Sequence, residues 1–291
     1  MTIEFSRHFG PLANNFDAFI LDIWGVLMDG AEPYPGAQDC LIQLRDSGKE
    51  IVLLSNAPRR ASSVADRLAA MGIDHTLYDR ILTSGEAIRS ALKERSVPYT
   101  RKLGRTYLHI GPSKDQHLLE GLNYIECNEV TEADFILVTG VIDDTDPLEK
   151  YEALLKAISE IGIPMICANP DKVVVRQNGD RVLCAGAIAA RYQEIGGISY
   201  YLGKPYREFY ETCLGTMSDV SQDRILAVGD TLHTDIKGAK LIGLTTALVV
   251  GGVLTKSLDI SWGDLPSRVR LEQLCLSEGV APEFVIPAFV W

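Results

Sequence analysis

Apolar runs alternate with amphipathic helical patterns along almost the whole chain. Strand-like runs occupy residues 16–21, 51–54 and 225–228, among others, and helical patterns occupy residues 37–47 and 61–71, each followed by a glycine. Unbroken apolar strands separated by helices are typical of a parallel sheet that is covered by helices on both faces. The pattern therefore predicts an α/β fold built on a parallel sheet.

Polar side chains follow several of these strands at the point where each strand ends. Asp22 follows the first run, Ser55 and Asn56 follow the second, Asp230 follows the third, and Lys204 follows a short apolar run before it. Each of them alone is more often a helix cap or a turn residue than a catalyst. Because ligands on parallel sheets bind at the carboxyl ends of the strands, their combination indicates a site at that edge.

The strand-end side chains come from the two ends of the sequence, and the middle contributes none of the four clusters. The simplest arrangement is a core domain formed by residues 1–80 and 195–291. A second α/β domain, formed by residues 81–194, is then inserted between them.

Composition narrows the class of protein. The chain has 291 residues, 46% of them hydrophobic and 23% charged, and a formal net charge of −11. This charge argues against nucleic acid or an anionic membrane as a partner, because such partners require a basic face. No apolar run approaches the roughly 20 residues of a membrane span. The six cysteines lack C-x-x-C spacing and are expected to be buried thiols, which favours a cytoplasmic protein.

The strand-end residues form a complete set for phosphoryl chemistry at a divalent cation. Asp22 can offer one carboxylate oxygen to Mg²⁺ and the other to phosphorus as a nucleophile. Asp230, with Asp235 behind it, can supply hard oxygen ligands or support them. Ser55 can donate a hydrogen bond to phosphoryl oxygens, and Lys204 can neutralise the charge that develops during transfer.

The order of these residues resembles the four motifs of the haloacid dehalogenase (HAD) superfamily of aspartyl-nucleophile phosphohydrolases. The similarity extends to the NagD-like, class IIA subgroup of sugar and nucleotide phosphatases, which carry a large α/β cap between the second and third motifs. The segments that are similar to this subgroup are Leu54-Ser55-Asn56, Ala168-Asn169-Pro170-Asp171, Gly203-Lys204-Pro205 and Gly229-Asp230-Thr231-Leu232-x-Thr234-Asp235-Ile236.

This resemblance implies a Rossmann-like core with an inserted α/β cap domain. It also implies a Mg²⁺-dependent hydrolase that acts on a small phosphorylated metabolite, a sugar phosphate or a nucleotide, through an aspartyl-phosphate intermediate. The Mg²⁺ ligands would be Asp22, the backbone carbonyl of Trp24, and Asp230, with Asp235 beside them. Asn56 and Asn169 would help to bind the phosphate, and Asp171 would lie with Asn169 where cap meets core.

The cap segment at residues 176–187 resembles the loop that selects the leaving group in this subgroup. Within it, Arg176 and Arg181 could contact an acidic substrate. A plain turn at residues 178–180 between two short strands explains the same segment, and exposed arginines are usually only solvated.

Trp24 departs from the family pattern. The family's phosphatases carry an Asp two residues after the nucleophile, which protonates the leaving oxygen and then activates the hydrolytic water. Trp has an N–H donor but no titratable group near neutral pH, and general acid–base catalysis contributes roughly 10²–10⁴-fold. The metal ligand is unaffected, because this position contributes only a carbonyl.

Three interpretations of Trp24 stay open. Asp29 or His233 could replace the missing acid, although each is more simply a structural residue. A substrate with a good leaving group, such as an acyl phosphate, could need no acid. Alternatively, turnover has been lost, and the protein is a catalytically weak phospholigand-binding or regulatory protein on the same scaffold.

The sequence after Gly252 is expected to be irregular. Its apolar end, residues 284–291, is expected to pack against the core or against a partner subunit, and a homodimer is one way to cover it.

Overall fold

The computed structural model describes residues 3–175 and 180–291, so the predicted substrate residue Arg176 lies outside the described part of the chain. The strands are β1 Glu4–Phe5, β2 Ala18–Leu21, β3 Glu50–Ser55, β4 Arg80–Thr83, β5 Thr106–Ile110, β6 Ile125–Cys127, β7 Phe135–Val138, β8 Met165–Cys167, β9 Val173–Val175, β10 Arg181–Leu183, β11 Ser199–Tyr201, β12 Ile225–Gly229, β13 Thr245–Val249 and β14 Phe284–Ile286.

Helices connect most of these strands. The α-helices are α1 Gly10–Ala13, α2 Ala37–Asp46, α3 Ala61–Ala70, α4 Ser84–Glu94, α5 Pro98–Lys102, α6 Glu152–Ile161, α7 Ala185–Glu194, α8 Arg207–Leu214, α9 Lys237–Leu241, α10 Thr255–Leu258 and α11 Arg268–Glu278. Short 3₁₀ helices cover His75–Leu77, Ser113–Leu119, Val130–Glu132, Leu148–Tyr151 and Gln222–Arg224, and a turn of π-helix covers Leu232–Ile236.

The larger sheet has seven strands in the order β1-β14-β13-β12-β2-β3-β4, and every neighbouring pair is parallel. Alternate residues of its central strands pack into different clusters: Phe19 and Leu21 point to one face, and Ala18 and Ile20 to the other. Both faces are therefore buried, which explains why these strands are apolar at every position. The prediction of an α/β fold with a parallel sheet is confirmed.

The smaller sheet has five parallel strands in the order β11-β8-β7-β5-β6. The strands β9 and β10 form a separate antiparallel hairpin. All strands of the smaller sheet come from residues 106–201, between β4 and β12 of the larger sheet. The chain therefore leaves the larger sheet once, builds this second domain, and returns.

Two strands near the predicted domain boundaries pair differently from what those boundaries imply. β4 belongs to the larger sheet and reaches Thr83, beyond the boundary at residue 80. β11 lies after the boundary at residue 195 but pairs with β8 of the smaller sheet. A short strand such as β11 does not show in the sequence which sheet it joins, because its partner lies far away in the chain.

The segment after Gly252 is not irregular, and that expectation was wrong. It contains α10 and α11, and β14 inserts between β1 and β13 of the larger sheet. Beyond β14, the buried Phe289 ring lies 4.7 Å from the Phe9 ring. The apolar end of the chain therefore packs against the core of the same chain, which is one of the two arrangements that the sequence predicted.

All six cysteines are buried free thiols, as their scattered spacing predicted. In the part of the chain that the structure describes, no helix combines the length and apolar character that crossing a membrane requires.

Candidate active site

The carboxyl end of β2 places Asp22 at the centre of a buried cluster of charges. The Asp22 backbone N–H donates to the Val228 carbonyl on the neighbouring strand β12, at 2.9 Å. Asp22 Oδ1 accepts a hydrogen bond from the Ile23 N–H at 2.7 Å and lies 2.6 Å from Lys204 Nζ. Backbone pairing in the sheet and these two contacts fix the position of the carboxylate.

Lys204 bridges two carboxylates. Its Nζ lies 2.6 Å from Asp22 Oδ1 and 2.6 Å from Asp235 Oδ1, and its side chain is only 3% exposed. Burial alone would lower the pKa of Lys204, but the carboxylates of Asp22 and Asp235 raise it well above its usual value. The ammonium group therefore stays charged throughout the physiological pH range.

The side chain of Asn56 holds the backbone of Lys204 in place. Asn56 Oδ1 accepts from the Lys204 N–H at 2.7 Å, and Asn56 Nδ2 donates to the Lys204 carbonyl at 3.0 Å. Asn56 Nδ2 also donates to Asp171 Oδ1 at 2.9 Å, and Asn169 Oδ1 accepts from the Asp171 N–H at 3.0 Å. Asn56 therefore joins the end of β3 to the inserted domain at the point predicted for Asn169 and Asp171.

Asp22, Asp230 and Asp235 form a compact group in which one oxygen of each carboxylate lies within 4.8 Å of the others. The Val253 N–H donates to Asp230 Oδ2 at 2.8 Å, and the Thr231 hydroxyl donates to Asp235 Oδ2 at 2.6 Å. Burial, reinforced by the neighbouring carboxylates, raises the pKa of Asp22 to about 8 and the pKa of Asp230 well above its usual value.

This donor set fits a hard divalent cation. Three buried carboxyl groups face a single ammonium group, and the raised pKa values of Asp22 and Asp230 mean that full ionisation of the cluster requires a further positive charge. Carboxylate oxygens are also the ligands that Mg²⁺ prefers. The described donor set therefore suits a divalent cation.

The turn after Asp22 depends on two glycines. Gly25 has φ +84°, and a Cβ atom there would lie 1.9 Å from Asp230 Oδ2. Gly30 has φ +91°, and a Cβ atom there would lie 1.9 Å from the Trp24 ring. Glycine therefore supplies both the left-handed backbone and the space that the Asp230 carboxylate and the indole occupy.

A cavity of about 140 Å³ lies over these residues, between the larger sheet and the inserted domain. From the larger sheet's side it is lined by Asp22, Trp24, Ser55, Asn56, Lys204 and Asp230, and from the inserted domain by Asn169, Asp171 and the apolar side chains of β9 and β10. The described site residues predicted from the sequence thus surround one cavity, apart from Asp235 and Arg181, and Arg181 lines a neighbouring cleft. Asp235 lies behind the cavity, bonded to Lys204 and Thr231.

Comparisons with known proteins agree with this geometry. The sequence profile of the haloacid dehalogenase-like hydrolases matches residues 19–125, and a second HAD-hydrolase-like profile matches residues 201–271. The dihydroxyacetone phosphatase of Corynebacterium glutamicum (strain R) is 30% identical over 242 residues, which cover 81% of this chain and 82% of that protein. The ribonucleotide monophosphatase NagD of Escherichia coli (strain K12) is 30% identical and covers 82% of this chain and 89% of its own. This chain is a haloacid dehalogenase-like hydrolase.

A solved structure supports the same assignment over nearly the full length. The haloacid dehalogenase-like hydrolase of Brucella suis 1330 superposes with a TM-score of 0.82 at 31% identity, and covers 97% of this chain and 99% of that one. The predicted membership in the NagD-like, class IIA group of HAD hydrolases is confirmed.

Trp24, at the position where the family resemblance predicts an acid, lies beside Asp22. The side chain is half-buried, packs against the core on the Gly30 side, and borders the cavity beside Asp22. Neither predicted substitute for the acid is among the described residues that line the cavity. Asp29 is buried and accepts hydrogen bonds from the Ala31 and Glu32 N–H groups, and His233 is exposed at the rim of a neighbouring cleft.

Sequence reasoning missed an ion pair at the cavity. Arg59 Nε lies 2.7 Å from Asp115 Oδ1, the Asp115 side chain is 2% exposed, and both residues line the cavity. Arg59 follows β3, whereas Asp115 belongs to the inserted domain. No local pattern links the two positions, so only their approach in space reveals the pair.

Proposed function

We propose that the chain is a Mg²⁺-dependent phosphatase that acts on a small phosphorylated metabolite, a sugar phosphate or a nucleotide, through an aspartyl-phosphate intermediate on Asp22. The observation that carries this proposal is the buried Asp22 carboxylate, 2.6 Å from the Lys204 ammonium group and inside a cluster of three carboxylates at a cavity. This is the combination of nucleophile, charge clamp and metal ligands that phosphoryl transfer needs.

The names of similar proteins support the substrate class. Relatives include a dihydroxyacetone phosphatase, the ribonucleotide monophosphatase NagD, and the sugar-phosphatase AraL of Bacillus subtilis (strain 168), which is 26% identical. All three names describe phosphatases that act on phosphate monoesters of small metabolites.

In the proposed reaction, the phosphoryl group enters the cavity and Asp22 attacks phosphorus. The Ile23 N–H and Lys204 Nζ both engage Oδ1, so we assign Oδ2 as the attacking atom. A bond forms between Oδ2 and phosphorus, and the bond from phosphorus to the leaving oxygen breaks. Water then cleaves the aspartyl phosphate, releasing inorganic phosphate and restoring the carboxylate.

Two further groups stabilise the transferred phosphoryl oxygens. The Ser55 hydroxyl accepts from the Ala57 N–H at 3.2 Å, which leaves its own proton to donate into the cavity. The Lys204 ammonium group neutralises charge on the nucleophilic side. When bound by Asp22, Asp230 and the Trp24 carbonyl, with Asp235 beside them, Mg²⁺ would supply further charge neutralisation at the phosphoryl group.

Trp24 favours a second candidate function. Because this position provides no titratable group, the same site could bind phosphorylated ligands and release product slowly. The protein would then be a phospholigand-binding or regulatory member of the HAD hydrolases.

Turnover of 4-nitrophenyl phosphate distinguishes these functions, because 4-nitrophenolate is a weak base that leaves without a proton. We expect Mg²⁺-dependent release of 4-nitrophenolate, which Asp22→Asn lowers at least roughly 10³-fold by removing the nucleophile. The exposed Asp46 makes Asp46→Asn the matched control, with unchanged turnover. A native protein that binds orthovanadate but shows no Mg²⁺-dependent turnover would establish the second function instead.

A further inference from the structure

The cavity at Asp22 is smaller than most ligand pockets. Its volume is about 140 Å³, whereas pockets that enclose small-molecule ligands typically measure roughly 300–1,000 Å³. The part of a larger substrate that lies far from its phosphoryl group would therefore occupy an adjoining space.

A second cleft of about 1,160 Å³ provides that space. It lies between the β9–β10 hairpin of the inserted domain and the segment 251–262 of the larger domain. Val173, Val175, Thr231 and Val253 line both the cavity and the cleft, so the two spaces are contiguous. A ligand with its phosphoryl group at Asp22 can extend directly into the cleft.

The charge of this cleft is opposite to that of the molecule. Lys172, Arg181 and Lys256 line it and are exposed, and Glu278 is the one acidic side chain among its described lining residues. Within the described residues, none of these three cations forms an ion pair with a carboxylate. The protein as a whole carries a net charge of −11, so a local excess of positive charge is not a general property of its surface.

Two aromatic side chains line the same cleft. The Tyr34 and Trp262 rings lie nearly parallel, with an interplanar angle of 9° and centroids 6.4 Å apart, and both line the cleft. An apolar wall excludes water on one side of a bound ligand, which strengthens its attraction to nearby cations.

We propose that this cleft binds a second anionic group, a carboxylate or a phosphate, at the end of the substrate remote from the reacting phosphoryl group. The inference rests on the proposed function for the placement of the reacting phosphoryl group at Asp22. It narrows the substrate class to phosphate monoesters that carry another acidic group. Lys172 and Arg181 approach this group from the inserted domain, and Lys256 approaches it from the larger domain.

A matched set of ligands tests the proposal through inhibition of 4-nitrophenyl phosphate turnover. Sorbitol 6-phosphate and 6-phosphogluconate differ only in a hydroxymethyl group or a carboxylate at the far carbon, and sorbitol 1,6-bisphosphate places a phosphate there. We expect an inhibition constant roughly 10-fold lower for the preferred ligand with a second acidic group than for sorbitol 6-phosphate, which is the gain that one or two partly exposed ion pairs provide. The better of the two ligands with a second acidic group identifies whether the remote group is a carboxylate or a phosphate.

Substitution of the cations shows whether they cause the preference. In the variant Lys172→Gln/Arg181→Gln/Lys256→Gln, the ratio of the inhibition constants should fall toward 1. The control Lys93→Gln/Lys102→Gln/Lys156→Gln removes the same charge from exposed positions outside both spaces and should keep the ratio. An equal loss in the control would assign the preference to the overall field of the protein and overturn the subsite.

The outcomes separate this inference from the proposed function. Equal inhibition constants for all three ligands, with turnover intact, would overturn the subsite and leave the phosphatase proposal standing. If 4-nitrophenyl phosphate is not turned over, the same ligands are compared by calorimetry. A preference that the cleft variant abolishes would then support the subsite although the phosphatase proposal has failed.

Discussion

At the scale of single residues, Trp24 determines what the site can do. The cluster around Asp22 has the groups that the proposed nucleophilic attack requires, because Lys204 and the neighbouring carboxylates lie beside it. The indole beside it cannot give a proton to a leaving oxygen. Attack should therefore be efficient only when the leaving group needs no proton.

We expect the rate of the native protein to fall steeply as the leaving group becomes more basic, from aryl phosphates to alkyl phosphates. Trp24→Asp should raise turnover of alkyl phosphates by roughly 10²-fold, since it supplies the missing acid. The measurement is the slope of log kcat/KM against the pKa of the leaving group over a series of phosphate esters, and Trp24→Asp should make this slope shallower.

Trp24→Phe is the control for this experiment, because it removes the indole N–H but adds no acid. It should keep the steep slope. If the native protein hydrolyses aryl and alkyl phosphates equally well, another residue supplies the proton, and the importance assigned to Trp24 is wrong.

The residues that the sequence could predict are those at strand ends. Asp22, Ser55 and Asp230 stand out because each ends or follows an apolar run, and the parallel strands of the larger sheet bring such positions to one edge. Lys204 also follows an apolar run, but its strand β11 belongs to the smaller sheet, and the Asn56 side chain holds its backbone at the site. The Arg59–Asp115 pair has no such signal, since it joins a loop of one domain to a 3₁₀ helix of the other.

At the scale of elements, the turn after β2 is shaped around the Asp230 carboxylate. Gly25 combines a left-handed backbone with a close approach to Asp230 Oδ2. The turn therefore positions a proposed metal ligand that lies on a different strand end, more than two hundred residues away in sequence.

Gly25→Ala should weaken Mg²⁺ binding at least roughly 10-fold, because the new methyl group displaces the Asp230 carboxylate. Isothermal titration of the variant with Mg²⁺ measures this change. Gly48→Ala is the matched control: it imposes a similar backbone strain at φ +69°, but its Cβ would meet nothing within 4 Å. If both variants bind Mg²⁺ equally well, the Gly25 turn does not support the metal site.

Elements without a strong pattern were the ones that the sequence did not reveal. α11 buries only Leu271 and Cys275, so its sequence lacks a broad apolar stripe. β14 has three residues and gains its place in the sheet only by pairing with β1 and β13. Both elements are fixed by tertiary contacts rather than by local sequence.

At the scale of the whole molecule, the Arg59–Asp115 pair connects the two domains across the cavity. Burial raises the pKa of Asp115, and the Arg59 guanidinium acts against this effect. Asp115 is nearly inaccessible, so loss of its partner would leave a buried carboxylate without compensation.

Arg59→Leu should therefore lower the free energy of unfolding by about 2–3 kcal/mol. This is less than the loss expected on breaking a fully buried ion pair, because Arg59 is partly exposed. Urea denaturation measures the change, and faster amide exchange in Ser113–Leu119 would locate it at the domain boundary. Arg59→Leu/Asp115→Leu should recover part of the loss.

The exposed pair Arg207–Glu211 provides a control, since Arg207→Leu should cost less than about 1 kcal/mol. Equal costs for Arg59→Leu and Arg207→Leu would show that the domain contact contributes no more than a surface ion pair.

The order of strands in the larger sheet has a consequence for synthesis on the ribosome. β2, which carries Asp22 at its end, pairs with β3 on one side and with β12 on the other, and β12 follows the whole inserted domain in the chain. While the ribosome makes that domain, for roughly 5 to 25 s, the apolar β2 of the nascent chain has one edge without a partner. Such edges pair readily with other chains. The strand that carries Asp22 therefore has to be covered by a chaperone, or to fold late, after residues 225–229 have emerged.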